Sequence, residues 1–421
     1  MYNGPTAMST VFHTIVFFLA LILSAAPSPA QDASPHYGLR YDLTLNPAED
    51  RADVSLTVDA RIEANILAYR FHIDPQKQTG FAGDGKIEDD GEYVTWTPPT
   101  TGGRFSFQVS VNHQRRNGHY DARMTEDWAI FRGDDLFPAA HTHGRDDAES
   151  DAYLHVHLPD GWSFVTAYPA AREHEFEIEH DHRYFDRPTG WMAAGRLGVR
   201  RELIDGVRVI VAGPMNQSVR RLDLLAMLNW NLPEVHRVIP DMPKRVLVVS
   251  ARDEMWRGGL SGPNSLYLHA DRPLISENGT STIVHELMHV ANRLRGEKGA
   301  DWIIEGLAEY YSLKLMWRSD TITYHRYLQS LEQLKEWGRQ AERLDVDSSS
   351  GPVTARAVGI LRRLDREIYA QTNREKTLDD VMRLLTASGQ KVNLKRFRAA
   401  VVEVMGKPAD ALSHGRLGLG D

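Results

Sequence analysis

Residues 281–311 read STIVHELMHVANRLRGEKGADWIIEGLAEYY, and the reading of this stretch settles the reading of the rest of the chain. His285 to His289 form HELMH, and sixteen residues after His289 comes EGLAEYY, beginning at Glu305. Residues four apart on a helix share a face, so His285 and His289 present imidazole nitrogens to one point. Glu286 is turned from them by about 100°, toward the place where a metal-bound water would stand. Two histidines leave a zinc ion short, because catalytic zinc takes three protein ligands and keeps one open position. The following segment supplies the third: Glu305 lies on the first turn of a second helix, and the Gly296–Asp301 connection turns the chain back. Glu309 falls one turn later on the same face, where a carboxylate can receive the second N–H of His285 and orient its ring. The reverse assignment, with Glu309 as ligand and Glu305 behind it, uses the same spacing. An HExxH pattern alone arises by chance. Here an apolar helical frame, a Glu-bearing helix at a suitable distance and the absence of any cysteine give it weight, and one zinc ion is the expected cofactor.

The chain has 421 residues, 42% hydrophobic and 25% charged, which is an ordinary globular composition large enough for two or three domains. Its net charge of -8 comes from 49 basic and 57 acidic residues spread along the chain. No basic stripe is available to neutralise a phosphate backbone, so a nucleic-acid partner is not expected. With no cysteine, disulfides, thiolate zinc sites and cysteine nucleophiles are excluded, and any metal must be held by histidine and carboxylates. The first thirty residues differ in kind. Thr14–Ala26, TIVFFLALILSAA, has the length of a signal-peptide core, and Ser28 and Ala30 fit the small-residue positions of a cleavage site before Gln31. It is shorter than the roughly 20 residues that span a bilayer. The expectation is an exported, periplasmic or secreted protein with residues 1–30 as signal peptide and no stable membrane span, although no Lys or Arg precedes the apolar run and Met8 is a second candidate start.

From Tyr37 to about Pro169, YDLTLNP, ADVSLTVDARI, YVTWTP and RFSFQVSVNH alternate apolar and polar residues between turn signals such as PPTTGG and RNGH. This pattern argues an antiparallel sandwich. Between Gly206 and His269, VRVIVAG, RVLVVSA and NSLYLHA read as strands, and NQSVRRLDLLAMLNWNLPEVHRVI reads as a helix with Asn216 as candidate N-cap. After Thr280 the chain is mostly helical, including ITYHRYLQSLEQLKEWGRQAERL and RAVGILRRLDREIYAQT. The expected fold is therefore α+β, with a β-sandwich-like domain over 31–170, a metal-binding domain over 171–346 and a helical part over 347–421.

HELMH followed by WIIEGLAEYYS resembles the zinc site of the gluzincin peptidases, especially the aminopeptidase N and glycyl aminopeptidase branches, although the interval is somewhat short for them. GWSFVTAYP, DRPTGWMAAGRL and GILRRLDREIYAQTNREKTLDDVMRLL resemble the glycyl aminopeptidase branch, so the likeness covers most of the chain after residue 30, with only the zinc motif specific. The resemblance implies a thermolysin-like catalytic domain behind the β-rich one and a peptide or protein substrate. It also implies hydrolysis by zinc-activated water with Glu286 as general base. The chain ends soon after GKPADALSHG, so the PDZ domain often appended in that branch is not expected. Two departures matter. Where those aminopeptidases carry a Glu that holds the substrate's free amine, GGLSGPN has Ser261. Where they place an oxyanion-stabilising tyrosine three residues before a glycine, counting back from Gly359 finds Arg356. Arg356 is then the candidate oxyanion donor, with Tyr324 and Tyr369 as others that can reach in from elsewhere. The rival reading is a binding or scaffolding protein on a retained gluzincin fold; a third is hydrolysis of a non-peptide amide or an epoxide.

Two histidine pairs lie outside this constellation. His141 and His143 in AAHTHG, and His155 and His157 in YLHVHLP, are two apart and share a strand face. No carboxylate at fixed spacing completes either set, which favours ordinary polar faces over a second metal. Trp302 is read as a core anchor for the Glu305 helix.

Overall fold

Strand His36–Asn46 buries Tyr37, Leu39, Tyr41, Leu43 and Leu45 on one face and leaves the alternate residues outside, as period-2 patterning requires. It pairs antiparallel with Arg51–Asp59 and parallel with Glu149–His157. The parallel pair departs from the all-antiparallel expectation, because alternation fixes which face is buried and says nothing about strand direction. These strands are the middle of a seven-stranded sheet. A four-stranded sheet built from Ala140–His143, Ala68–His72, Tyr93–Thr97 and Lys86–Asp89 faces it across an aromatic layer. Phe71 stacks on Phe105 at 5.1 Å between ring centroids and Trp96 on Phe105 at 5.4 Å, the offset geometry that adds to simple burial. The structure is a computed structural model and describes residues 36–59, 66–144, 148–180 and 185–418; the expected signal peptide lies outside them.

A five-stranded sheet running through Trp128–Arg132 and Trp191–Gly195 joins this region to the next. The next sheet is mixed, in the order Leu197–Ile204, Val207–Pro214, Arg245–Ala251, Ser265–His269, Gly259–Gly262. Its two central pairings are parallel and its two outer ones antiparallel. Helix Arg221–Val238 makes the crossover between the first parallel pair. It starts five residues beyond Asn216, which sits instead in a 3₁₀ turn, Met215–Gln217; Arg220 precedes the helix without a side-chain cap. Trp191 and Tyr267, with ring centroids 5.3 Å apart, fill the space between the two sheets. The Trp191 indole N–H donates to the carbonyl of Leu260 at 2.9 Å, and the Trp191 backbone N–H donates to Ser265 Oγ at 2.7 Å. The DRPTGW loop thus props the edge strand Gly259–Gly262.

The remaining chain is helical: Thr282–Asn292, Asp301–Arg318, Tyr324–Gly338, Pro352–Gln371, Leu378–Ala387 and Leu394–Met405. The third of these stops at Gly338, short of the Leu344 that periodicity alone allows, where a β-carbon would lie 2.6 Å from the backbone nitrogen of Arg356. One continuous core runs from Ile204 to Leu417, so the helices after residue 347 share their interior with the HELMH helix. Gly306 sets the spacing between two of them. A β-carbon there would sit 2.6 Å from Cβ of Ala357 and 3.1 Å from Cδ1 of Leu361, and its absence lets Asp301–Arg318 lie directly on Pro352–Gln371. Beyond this contact a buried polar cluster locks three helices together. Lys314 Nζ donates to Asp365 Oδ2 at 2.7 Å and Asp379 Oδ1 at 3.1 Å, Arg318 donates to Asp379 Oδ2 at 2.7 Å, and the Tyr310 and Tyr311 hydroxyls donate to Asp365 and Asp379. Among the described residues no helix is long and apolar enough to cross a membrane.

Candidate metal centre

The HELMH helix is buried on most of its circumference, with Ile283, Val284, Leu287, Met288, Val290 and Ala291 in the core. That burial fixes its rotation. The remaining face carries His285 and His289, and the helix Asp301–Arg318 crosses it with Glu305 and Glu309. His285 Nε2 and His289 Nε2 are 3.1 Å apart, and each lies 3.3 Å from one oxygen of Glu305. Two ligands of a tetrahedral ion at about 2.1 Å stand about 3.4 Å apart, so the three atoms bracket a space of zinc size. The four side chains are 13–27% exposed, enough for a small molecule to reach them.

Protonation supports the same fit. Glu309 Oε2 lies 2.9 Å from His285 Nδ1, and a carboxylate only accepts, so Nδ1 carries the hydrogen and donates it. His285 Nε2 then presents a lone pair to a Glu305 oxygen, and two lone pairs facing each other require a cation between them. A proton on the ring is one such cation. Burial opposes a charge on His285, but the hydrogen bonds with Glu305 and Glu309 and the charges of Glu309 and Glu286 outweigh it and hold the ring's pKa well above its ordinary value. Burial also opposes the charged form of Glu305, yet the two histidines hold its carboxyl far below the usual carboxylate range. A divalent ion would supply a stronger charge at the same point. His285, His289 and Glu305 are the residues that would hold it, with Glu309 behind His285.

Glu286 points to a different neighbour. A β-carbon built on Gly259 would lie 2.6 Å from its Cγ and 2.9 Å from its Oε1. The carboxylate of Glu286 is therefore pressed against the edge strand, in room that only glycine leaves. This contact is not visible in sequence spacing, because its signal is a missing side chain 27 residues away. Ser261 is two residues further along the same strand and so on the same face as Gly259. Arg356 is not brought to the cluster by any of its hydrogen bonds. Its guanidinium donates to the carbonyls of Ala341 at 3.0 Å, Glu342 at 3.4 Å and Leu417 at 3.0 Å, tying the loop after Gly338 to the C-terminal turn. Tyr324 packs at a tilt against Trp317 and Tyr327 and is 55% exposed, and Tyr369 is 44% exposed. Trp302 is buried in the core as read from sequence.

Solved structures share this arrangement of sheets and helices. An aminopeptidase N family protein from Idiomarina loihiensis superposes with a TM-score of 0.64 at 15% identity, over 83% of this chain and 70% of that one. This is an aminopeptidase N-like fold. Legionella pneumophila aminopeptidase A, solved in complex with aspartic acid, matches with a TM-score of 0.54 at 12% identity, over 89% of this chain and 48% of its own. The chain thus spans about half of the Legionella protein. No protein-family model matches this sequence, and no curated protein matches it. At these identities the aminopeptidase N-like likeness is one of fold, and the mixed α+β architecture agrees with it.

Proposed function

We propose that the chain is an exported zinc-dependent metallopeptidase that hydrolyses peptide bonds in peptide or protein substrates. The observation that carries this reading is the convergence of His285, His289 and Glu305 on one point, with the Glu286 carboxylate beside them at the edge strand. When bound, the ion supplies Lewis acidity, which polarises a substrate carbonyl and makes water a stronger acid. Glu286 takes a proton from the attacking water on its carboxylate and gives it to the leaving amine. Glu309 holds His285 in the tautomer that keeps Nε2 free. Gly259–Gly262 ends its sheet, so its outer backbone groups are available to an extended peptide, as in strand-addition recognition. With Ser261 in place of a carboxylate, the strand offers no anion for a free α-amine, and the action is aminopeptidase-like in fold without that anchor. Within the same proposal, residues 1–30 are a signal peptide, 31–170 the β-sandwich-like domain, 171–346 a thermolysin-like catalytic domain and 347–421 its helical extension.

The commitment of Arg356 to backbone carbonyls favours one second reading, a weakly active or inactive binding protein on the same fold. Metal content and cleavage of a mixed peptide library, measured together on the purified protein and on Glu286→Gln, separate the two. The peptidase reading expects about one zinc in the His285 site of both proteins and cleavage by the first alone. Zinc in both and cleavage by neither leaves the binding reading; no zinc in either overturns both.

A further inference from the structure

A second cluster of ligating atoms lies on the outer face of the seven-stranded sheet, on elements that make no part of the site above. Strand Glu149–His157 buries Leu154 and Val156, which turns His155 and His157 outward together. The parallel partner strand sets Asp42 directly opposite His155. Asp42 Oδ1 is 3.1 Å from His155 Nδ1 and 3.2 Å from His157 Nε2, close to the 3.3 Å carboxylate–imidazole gaps of the first cluster, and the three ligand atoms lie within 4.8 Å of one another. The two rings stand 4.4 Å apart at 79°. A groove of about 700 Å³ begins at Asp42 and His157 and runs across the sheet to Arg104 and Gln108.

One cation is already near. Arg40 brings a guanidinium nitrogen to 3.4 Å from both Asp42 Oδ1 and His155 Nδ1. Both distances are at the limit of a hydrogen bond, and the Arg40 side chain is 54% exposed, so it can turn into solvent at little cost. The third such cluster, Asp253, His269 and Asp271, is of another kind. There the Asp271 N–H donates to His269 Nδ1 at 3.2 Å, and Arg257 and Arg252 hold the two carboxylates.

We propose that Asp42, His155 and His157 bind a second divalent transition-metal ion, held by two imidazoles and one carboxylate, with its open side toward the groove. Nitrogen-rich ligation of this kind suits Zn²⁺, Ni²⁺ or Cu²⁺ rather than Mg²⁺ or Ca²⁺. The groove leaves the remaining coordination positions to water or a small oxygen-donor ligand. Bound there, the ion clamps two strands whose ligands are 113 residues apart in the chain, so it acts as a cross-link of the β region as well as a site.

The test is zinc stoichiometry by equilibrium dialysis at low micromolar free zinc. It uses the purified protein, His155→Ala/His157→Ala, His285→Ala/His289→Ala and the fourfold variant. Two equivalents in the parent, one in each double variant and none in the fourfold variant is the expected result. A His155→Ala/His157→Ala variant that holds as much zinc as the parent overturns the proposal, and so does a His285→Ala/His289→Ala variant that holds none. Both outward histidines lie on an exposed face, and Asp42→Asn, which keeps both rings and the strand pairing, gives an independent variant that must also lose one equivalent. Arg40→Ala removes the competing cation and is expected to tighten the second equivalent severalfold while leaving the first unchanged; weaker binding in that variant also counts against the site. Zinc is further expected to raise the melting temperature of His285→Ala/His289→Ala and not of the fourfold variant.

Discussion

Gly259 and Glu286 occupy adjoining space: a β-carbon on the glycine would stand 2.6 Å from Cγ of the glutamate. The edge strand and the base of the proposed reaction are thereby fixed against each other. Gly259→Ala forces the carboxylate from its position while leaving His285, His289 and Glu305 untouched. The expected outcome is unchanged zinc content with a fall in kcat of about 10²-fold, toward the lower end of what a general base contributes. A variant with full kcat would show that Glu286 works from some other position.

In the proposed centre Glu309 would act on the ion through His285. Glu309→Gln retains a hydrogen-bond acceptor but loses the negative charge that makes the ring more basic. Loss of such a partner weakens metal affinity by about 10- to 100-fold, measurable by competition with a chelator. Activity at saturating zinc should fall much less. Glu305→Gln removes a ligand itself and should abolish binding at this centre at the same zinc concentration, which distinguishes the assigned roles from the reverse.

Arg356 provides a contrast. Its guanidinium bonds three backbone carbonyls, so Arg356→Ala should lower the melting temperature and leave kcat nearly unchanged. An oxyanion donor would instead cost about 10²- to 10³-fold in kcat on removal. Thermal unfolding and steady-state kinetics on the same preparation decide between the two.

The Lys314 cluster predicts an acid limb of stability. Burial opposes the charge on Asp379, but Lys314 and Arg318 outweigh it and hold the carboxyl below its ordinary value. A carboxyl whose folded pKa is depressed binds fewer protons in the folded state than in the unfolded one. It therefore contributes stability that is complete above the unfolded value, about 3.9, and is lost as pH falls through the folded value. Denaturant midpoints measured below pH 5 should fall more steeply for the parent than for Asp379→Asn, which is less stable at neutral pH. Lys314→Ala takes from Asp365 its cation and leaves Asp379 to Arg318 alone, and should cost about 3–5 kcal/mol at neutral pH.

How much of this was legible in the sequence depends on how local each signal is. His285, His289, Glu305 and Glu309 were readable because helical periodicity ties each pair to one face, and two crossing helices bring the faces together. The place of Glu286 on the HELMH helix was readable but not its neighbour, since Gly259 acts by lacking a side chain. Counting from Gly359 reached Arg356 by position alone. In the structure Ala357 is the residue that packs on Gly306, while Gly359 has open space around it, so the count had no contact to anchor it. The pairing of Asp42 with His155 and His157 was out of reach for the same reason that the first strand's direction was. Register between strands more than a hundred residues apart is decided by tertiary pairing, which alternation does not encode.

That parallel pairing also orders events in time. Strand His36–Asn46 finds its partner Glu149–His157 only after the intervening chain exists. At synthesis rates of about 5–20 residues per second, the apolar row Tyr37, Leu39, Tyr41, Leu43 and Leu45 therefore waits several seconds with one flank of its backbone unpaired. Until then the row borders an open sheet edge, the kind of surface on which chains aggregate, and the seam between the two halves of the sheet can close only after the half that begins with Arg51–Asp59 has been made.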